Sequence, residues 1–347
     1  MWRARAVCAV ASLALIAGCA VDRPKLSEAE LMELRDRTLA DMRLGQEISS
    51  ARLVDRMALE LDAYESARAR GEPAEPPALD FLVLSGGGDF GSFGVGVLNG
   101  WGDVEGELAR PSFDCVTGVS TGALIAPFAF LGDEESYRQI YSLYTEPKDD
   151  WVVVRSVLFF WWPWRDSFTE TKGLRRDLEA QLTVDKIREL AASEREHRLL
   201  AIGTTNLDLG VMRGWDLVRQ STLLVEQGGD FTRIYDILMA SAAIPGAFPP
   251  VEIDGSLYVD GGTTANILFG TNLRAPEQLV GVWKRRHAGR TPAKLRFWVI
   301  VNNQLGVQPV RVEPRWPSIV KHSLSTAIRF STIAALRNLA AQVELLR

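Results

Sequence analysis

The sequence predicts an α/β fold, because two short apolar segments each run into a glycine-containing turn that is followed by a helical pattern. Residues 79–84 and residues 113–117 have the length and the apolar, partly β-branched content of buried strands. Residues 92–101 and residues 123–131, which follow the two turns, suit helices packed closely on their neighbours. With 347 residues, 47% of them hydrophobic and 24% charged, the chain can bury the core that such a fold needs.

The second of these turns is Gly118-Val-Ser-Thr-Gly122, the single G-x-S-x-G match in the chain. A serine on a sharp strand-to-helix turn exposes its hydroxyl, and small residues on either side make the turn possible. The helix N-terminus adds unpaired N–H groups and the positive end of a dipole, both of which stabilise an oxyanion. Ser120 is therefore a candidate nucleophile. The alternative is a structural turn without chemistry.

The first turn, Ser85-Gly-Gly-Gly-Asp-Phe-Gly91, follows the first predicted strand. Consecutive glycines expose their backbone N–H groups, with no Cβ atom to block a ligand. Gly86, Gly87 and Gly88 are therefore candidates for an oxyanion hole.

The same glycines leave two other interpretations open. The spacing Gly86-x-Gly88-x-x-Gly91 matches the dinucleotide-binding fingerprint, but that fingerprint also needs a second strand ending in an acidic residue about 20 residues later. Glu105 and Glu107 lie near that distance, and the sequence before them has no strand pattern. Nucleotide binding and a purely structural glycine turn remain the alternatives to an oxyanion hole.

Several blocks of the chain resemble the patatin-like phospholipases, in the order in which that family has them. They are Ser85–Gly91, Gly118–Gly122, Leu199–Asp208, Met239–Val251 (Met-Ala-Ser-Ala-Ala-Ile-Pro-Gly-Ala-Phe-Pro-Pro-Val) and Val259-Asp-Gly-Gly262. Each block is weak evidence alone. Their order and spacing together make the resemblance specific.

The resemblance extends over about residues 79–303 and implies a three-layer α/β sandwich with a central, mostly parallel sheet. It implies a Ser–Asp dyad, with Ser120 as the nucleophile and Asp260 as the base, beside an oxyanion hole formed by Gly86–Gly88. The implied reaction is the hydrolysis of fatty-acyl esters of phospholipids or lysophospholipids. No cofactor is expected, and the scattered acidic residues have no calcium-loop spacing, so no metal is expected either.

The chain departs from the family pattern at two positions. Phe90 stands where the family often has arginine or lysine, which makes the field at the expected oxyanion hole less positive. Leu268 follows Asn266-Ile267 where the family often has proline, which affects the loop after Asp260 rather than Asp260 itself.

The residues alone do not decide which group activates Ser120. His197, His287 and His322 are the histidines of the chain, and none lies in a motif. A Ser–His–Asp triad therefore stays open on this ground, although nothing in the sequence favours it. Without the resemblance, Asp260 would be interpreted as a turn residue that ends a strand.

The N-terminus has the features of a secretory signal. A short basic stretch precedes the apolar residues 6–17, which are too few to span a bilayer. Ile16-Ala-Gly-Cys19 resembles the bacterial lipoprotein signal, which implies cleavage after residue 18 and lipidation of Cys19. Ala20 then favours the outer membrane, facing the periplasm. An ordinary secretory signal is the alternative.

Residues 19–78 are predicted to be a helical N-terminal segment that ends in a proline-rich linker. Ser27 begins a capping box, and apolar residues recur at helical spacing, which predicts either one helix or two helices separated near Gly45. These helices form either a stalk or a layer packed on the main domain. The predicted organisation is a signal peptide at 1–18, this segment, and the patatin-like domain at 79–347.

The charge and the cysteines limit the partners. The net charge of −5 argues against nucleic acid, which would need a basic face, and does not by itself favour anionic lipid. Cys8, Cys19 and Cys115 cannot form a disulfide framework or a metal site, and Cys115 is predicted to be buried. The partners implied are therefore a lipid substrate and the membrane that would hold a lipidated Cys19.

Two questions remain open at this point. The aromatic residues 158–164 (Leu-Phe-Phe-Trp-Trp-Pro-Trp) suit core packing around a proline turn, a lid, an acyl-chain pocket or a membrane-interface patch. The alternative to an enzyme is a catalytically silent lipoprotein of the same fold that binds lipid or a protein partner.

Overall fold

The computed structural model describes most of the chain. The described residues are 23, 25–154, 166–268, 275–307 and 309–345. The predicted lipoprotein signal with Cys19 and the aromatic residues 158–164 lie outside them.

A seven-stranded sheet forms the centre of the molecule. Its strands are Ala78–Leu84 (β1), Cys115–Val119 (β2), Leu199–Asn206 (β5), Val211–Asp216 (β6), Val251–Ile253 (β7), Ser256–Asp260 (β8) and Lys294–Ile300 (β9). Strands β9, β1, β2 and β5 are parallel neighbours, whereas β6 and β8 pair antiparallel with β5, and β7 pairs antiparallel with β8. Two short strands, Val153–Val154 (β3) and Thr169–Glu170 (β4), pair with each other outside this sheet. The predicted mostly parallel central sheet is confirmed.

Helices cover both faces of the sheet. They are Glu28–Ala69 (α1), Gly91–Trp101 (α2), Thr121–Leu131 (α3), Glu134–Thr145 (α4), Lys172–Gln181 (α5), Val184–Ala192 (α6), Leu217–Glu226 (α7), Thr232–Ser241 (α8), Ala275–Arg286 (α9) and Trp316–Leu345 (α10). Helices α2 to α8 contribute to the larger hydrophobic core on one face, and α1 and α9 form a second core on the other. None of the helices in the described part of the chain combines the length and the apolar content needed to cross a bilayer.

Strand β1 shows why the sequences of the central strands are continuous runs of apolar residues. Leu82 and Leu84 are buried in the larger core, while Leu79 and Phe81 are buried in the second core on the opposite face. Parallel strands covered on both faces lack the alternation of polar and apolar residues seen in half-exposed sheets. Cys115 of β2 also lies in the second core, buried as predicted, and burial raises the pKa of its thiol.

Helix α1 is a single helix of 42 residues that begins with the predicted capping box at Ser27. Of the two alternatives, one helix or two separated near Gly45, the structure has the first: the helix continues through Gly45, and a Cβ atom placed there would have no neighbour within 4 Å. A glycine inside a helix costs about 1 kcal/mol relative to alanine. Packing of the later turns on the sheet through Val54 and Met57 offsets that cost. Helix α1 is therefore a layer of the sandwich rather than a free stalk.

Buried ion pairs tie α1 to the sheet. The Arg52 guanidinium is 2.8 Å from Asp216 at the end of β6 and 2.8 Å from Glu194, and the Arg52 side chain is only 5% exposed. Asp216 also accepts a hydrogen bond from the Arg219 N–H at the start of α7. Burial raises the pKa of Asp216, and the charge of Arg52 opposes that rise. Since Asp216 is buried, it depends on Arg52 to carry its charge.

We expect Arg52→Ala to lower the free energy of unfolding by about 3 kcal/mol, because it leaves a buried carboxylate without its cation. Arg35→Ala is the matched control: Arg35 lies on the same helix and pairs with Asp36 in solvent, so its loss should change stability by less than about 0.5 kcal/mol. Urea denaturation followed by circular dichroism measures both. Equal, small effects would show that α1 is only loosely attached.

Candidate active site

Ser120 lies on the sharp turn between β2 and α3, with φ 54° and ψ −126°. A residue with a side chain rarely adopts a positive φ, so this conformation must be held by its surroundings. The flanking glycines permit it: a Cβ atom on Gly118 would lie 2.4 Å from the Gly122 carbonyl oxygen, and one on Gly122 would lie 2.6 Å from the carbonyl oxygens of Leu84 and Ser85. The two glycines of the G-x-S-x-G motif are therefore required by close packing of bare backbone.

Ser241, at the end of α8, holds the backbone of Ser120. Its hydroxyl accepts a hydrogen bond from the Ser120 N–H at 2.9 Å and donates one to the Gly203 carbonyl at 2.6 Å. Ser241 is completely buried. It thus links the strained turn to strand β5.

Asp260, at the end of β8, faces Ser120 across β5. The β2–β5 register pairs Val119 with Gly203, and the β5–β8 register pairs Thr204 with Asp260. The Ser120 hydroxyl lies close enough to the Asp260 carboxyl to lower its pKa as a hydrogen-bonding neighbour. The structure therefore brings together the two side chains that the resemblance implied as a dyad.

Backbone contacts fix the position of the Asp260 carboxylate. The Gly262 N–H donates to it at 2.7 Å, and the main-chain N–H of Asp260 donates to the Ala243 carbonyl at 2.8 Å. A Cβ atom on Gly261 would lie 2.5 Å from the Gly203 carbonyl oxygen. The Gly-Gly pair after Asp260 therefore lets the chain turn directly against β5.

Burial sets the proton affinity of Asp260. The residue is only 5% exposed, and burial raises the pKa of its carboxyl to about 6, against the hydrogen bonds from Ser120 and Gly262, which lower it. Among the described residues, no arginine or lysine contributes to this shift. A carboxyl with this pKa is a stronger base than an ordinary aspartate and is still mostly ionised at neutral pH.

The histidines lie elsewhere. His197 precedes β5, at the end of the parallel strands opposite to the end that carries Ser120, and His287 stacks on Trp283 beside the second core. His322 lies on α10. Among the described residues, no histidine forms a hydrogen bond with Ser120 or Asp260, so this geometry does not favour a Ser–His–Asp triad.

The glycine loop after β1 lies against Ser120: a Cβ atom on Gly86 would be 2.9 Å from the Ser120 Cβ. The three glycines differ, however. The Gly86 N–H donates to the Asn266 carbonyl at 3.1 Å, so the structure corrects the expectation that all three glycines are free donors. In the part of the chain that the structure describes, the N–H groups of Gly87 and Gly88 donate to no protein acceptor. These two remain available to a ligand.

Two asparagines support this loop. Asn266 donates from its side chain to the Gly86 carbonyl at 3.1 Å and to the Thr332 hydroxyl at 2.8 Å. Asn302, just after β9, donates from its side chain to the Ser85 carbonyl at 2.9 Å. Its own carbonyl lies so close to Gly87 that a Cβ atom there would be 1.3 Å from the oxygen.

The N-termini of two helices meet at the site. Helix α3 begins at Thr121, directly after Ser120, and α2 begins at Gly91, directly after the glycine loop. The Thr121 and Tyr144 hydroxyls hydrogen-bond to each other, and the Tyr144 hydroxyl also donates to the Thr121 carbonyl at 3.2 Å. First-turn N–H groups lack acceptors within their helix, so Thr121 is a third donor available beside Ser120.

Sequence reasoning missed several supporting residues. Ser241 lies inside the Met239–Val251 block, and Asn266 lies in the loop compared with the family, but neither received a role. Asn302 and Tyr144 had no signal in the sequence, because their contacts join segments far apart in the chain. A buried serine or asparagine next to a motif is the pattern that could have pointed to the first two.

Within the described residues, no group of three or more His, Cys, Asp or Glu side chains is arranged to hold a metal ion.

A family model described as patatin-like phospholipase matches residues 82–272, more than half of the chain. A curated relative, the "Uncharacterized protein R571" of Acanthamoeba polyphaga mimivirus, is 25% identical over 229 residues, which cover 64% of this chain and 71% of that protein. Among solved structures, VipD from Legionella pneumophila covers 76% of this chain and 67% of its own, with 13% identity and a TM-score of 0.35.

Ser241→Ala is expected to slow the reaction of Ser120 with a fluorophosphonate probe by roughly 10- to 100-fold, because it removes the group that holds the nucleophile's backbone. It should also lower the free energy of unfolding by about 1–3 kcal/mol, since a buried N–H and a buried carbonyl lose their partner. Labelling kinetics and urea denaturation measure the two effects.

Ser221→Ala is the matched control for this substitution. Ser221 is also completely buried, and within the described structure its hydroxyl has no hydrogen-bond partner. Labelling should be unchanged in that variant. A Ser241→Ala protein that labels as fast as the control would contradict the positioning role.

Proposed function

This chain belongs to the patatin-like phospholipase family, and we propose that it is a serine acyl hydrolase that cleaves fatty-acyl esters of phospholipids or lysophospholipids. The domain is that of a lipid hydrolase. The observation that carries the finer proposal is the juxtaposition of the Ser120 hydroxyl with the buried Asp260 carboxyl across β5, where the hydroxyl lowers the pKa of that carboxyl. The Gly87 and Gly88 N–H groups beside Ser120 complete the set of groups that acyl transfer requires.

The first half of the reaction forms an acyl-enzyme. The Ser120 Oγ attacks the ester carbonyl carbon while its proton passes to the Asp260 carboxylate. The carbonyl oxygen becomes an oxyanion, which the N–H groups of Gly87, Gly88 and Thr121 stabilise. The bond to the alcohol then breaks, and the proton on Asp260 passes to the departing alcohol oxygen.

The second half repeats these transfers with water. The water oxygen attacks the acyl carbon while Asp260 takes a proton from that water molecule. The tetrahedral intermediate collapses, the Ser120 oxygen regains a proton from Asp260, and the fatty acid leaves. A base with a pKa near 6 suits both directions, because it accepts a proton in one step and returns it in the next.

We further propose that the enzyme is a lipoprotein of the bacterial envelope, anchored through Cys19 and facing the periplasm from the outer membrane. The support is the sequence Ile16-Ala-Gly-Cys19 after a basic and then apolar leader. Multiple acyl chains on one residue would anchor the protein stably, since each buried methylene contributes about 0.8 kcal/mol. Mass spectrometry of the N-terminal peptide after expression in a bacterial host, with Cys19→Ala as control, tests this.

Ser120→Ala should reduce hydrolysis of both a lysophospholipid and a soluble short-chain ester by about 10⁴-fold or more, because no other group can form the acyl-enzyme. Ser66→Ala, a serine exposed on α1, should leave both rates unchanged. Titration of released fatty acid and a chromogenic ester assay are the measurements. A wild-type protein that neither hydrolyses esters nor reacts with a fluorophosphonate would instead favour a silent lipid-binding protein.

The pH dependence of kcat/KM should follow the ionisation of Asp260. The base must be ionised, so kcat/KM is expected to be low below pH 6 and to rise through a midpoint of about 6 to a plateau. Replacement of all three histidines (His197→Asn, His287→Gln and His322→Gln) should leave this midpoint in place. A midpoint that disappears in that variant would assign the base to a histidine.

Asp260→Asn should abolish most activity without unfolding the protein. Because the native pKa of Asp260 is raised above its ordinary value of 3.8 to about 6, the native state binds this proton more tightly than the unfolded chain does, and stability falls as pH rises from 4 to 6. The neutral asparagine avoids that loss. At pH 7, we expect a melting temperature equal to or above that of wild type, measured by differential scanning fluorimetry.

A further inference from the structure

We propose that the face around the candidate site docks on an anionic phospholipid surface through six exposed apolar side chains and the basic residues beside them. The inference rests on the proposed function, since it concerns how the site reaches a substrate that is packed in a bilayer. We name these six side chains the apolar rim. They are Phe90, Phe93, Val307, Val310, Ile319 and Phe330.

Each rim residue is about half exposed or more, from 48% for Phe90 to 80% for Val307. Single exposed apolar residues are ordinary on a protein surface. Several exposed apolar residues close to one site are not explained by folding. Such a patch indicates an interaction surface, and a lipid interface would withdraw these side chains from water. A phenylalanine side chain gains about 1.5–3 kcal/mol on complete burial, so partial burial of several such groups gives useful membrane affinity.

Five of the rim residues lie on three segments that form the glycine loop or are connected to it through hydrogen bonds, and Ile319 lies farther along α10. Phe90 and Phe93 follow the glycine loop directly. Val307 and Val310 follow Asn302, which holds that loop. Phe330 lies two residues before Thr332, whose hydroxyl accepts a hydrogen bond from Asn266 beside Gly86.

Helix α10 has one face on the protein and another in solvent. Thr332 and Leu339 are buried, and seven residues, nearly two turns, separate them. Ile319 and Phe330 are exposed and are eleven residues apart, about three turns, on the side of the helix away from Thr332. A contact from the Arg329 guanidinium to the Gly306 carbonyl at 3.4 Å joins this helix to the segment with Val307.

The C-terminal part of the rim has a charge opposite to that of the whole chain, while beside Phe90 the exposed Asp89 adds one acidic group. Residues 303–345 contain five basic and two acidic residues, whereas the complete chain has a net charge of −5. Within the described structure, Arg311 and Lys321 form no ion pair. The Arg329 guanidinium lies 5.4 Å from the centroid of the Phe330 ring, which places a cation next to a rim side chain.

This combination favours a lipid surface over a second copy of the chain. A symmetric dimer through the rim would bring Arg311 and Lys321 of both copies to the same interface, where like charges repel. An anionic membrane provides a hydrocarbon region that can bury the rim side chains and phosphate groups that can pair with the basic residues. Each lysine or arginine near such a surface contributes about 1 kcal/mol, and salt weakens that attraction.

Sucrose-loaded vesicles of phosphatidylcholine, with and without phosphatidylglycerol, provide the test. Every protein is the full chain with Cys19→Ser, so that lipidation cannot hold it on the vesicle, and with Ser120→Ala, so that the lipid is not consumed. The rim variant carries Val307→Ser, Val310→Ser and Phe330→Ser. The charge variant carries Arg311→Gln and Lys321→Gln.

The control variant carries Leu31→Ser, Leu44→Ser and Leu59→Ser, three comparably exposed residues of α1 in the layer on the other side of the sheet. We expect co-sedimentation of the rim variant to fall by about tenfold or more. The charge variant should bind about tenfold more weakly to vesicles with phosphatidylglycerol only, and that difference should shrink at high salt. The control should bind like the parent protein.

Rim and control variants that bind vesicles equally would overturn the inference. So would a parent protein that binds no vesicles but self-associates on a sizing column until the rim is changed, because that result assigns the face to a second copy. The proposed function fails separately: with Ser120 restored, absence of hydrolysis of a soluble short-chain ester contradicts the enzyme, whereas vesicle binding that depends on the rim still supports the docking face. If both hold, rim substitutions should slow hydrolysis of vesicle lipid and leave hydrolysis of the soluble ester unchanged.

Discussion

The juxtaposition of the Ser120 hydroxyl and the buried Asp260 carboxyl is the interaction on which the rest of the site depends. Ser120 directly follows β2 and Asp260 ends β8, and β5 lies between those two strands. Gly203 of β5 makes the arrangement possible, because its carbonyl accepts a hydrogen bond from Ser241 and packs directly against Gly261. In the mechanism that we propose, a nucleophile and a buried carboxylate in this position need no third side chain to transfer a proton.

Close approach of bare backbone is the second constraint. Side chains cannot be added at Gly87, Gly118, Gly122 or Gly261 without overlap with a carbonyl group. Glycine at these positions lets β1, β2, β5 and the loops that follow them meet within a few ångströms. The resulting surface presents backbone N–H groups rather than side chains. Such donors stabilise an oxyanion better than a charged group on a flexible side chain does, because they are already in position.

The elements outside the site serve two different ends. Helix α1 closes the second face of the sheet through Val54 and Met57 and is tied to it by Arg52, so it stabilises the strands whose ends carry Ser120 and the glycine loop. Helix α10 instead touches the loop side through Thr332 and leaves apolar and basic residues in solvent. The packing of α1 is explained by stability, whereas the exposed face of α10 is the part of the docking surface that we propose.

The sequence by itself determined the α/β class and the capped start of α1, because these follow from local patterns. It also determined the mostly parallel sheet and the choice of Ser120 and Asp260 as neighbours in one site, because these follow from motifs in a fixed order. Tertiary structure alone decided three things. It shows that Gly86 is already hydrogen-bonded to Asn266, that Ser241 and Asn302 hold the two loops, and that α1 runs unbroken through Gly45. Each depends on contacts between residues far apart in the chain, and a pattern along one strand or helix contains no information about which distant group will lie beside it.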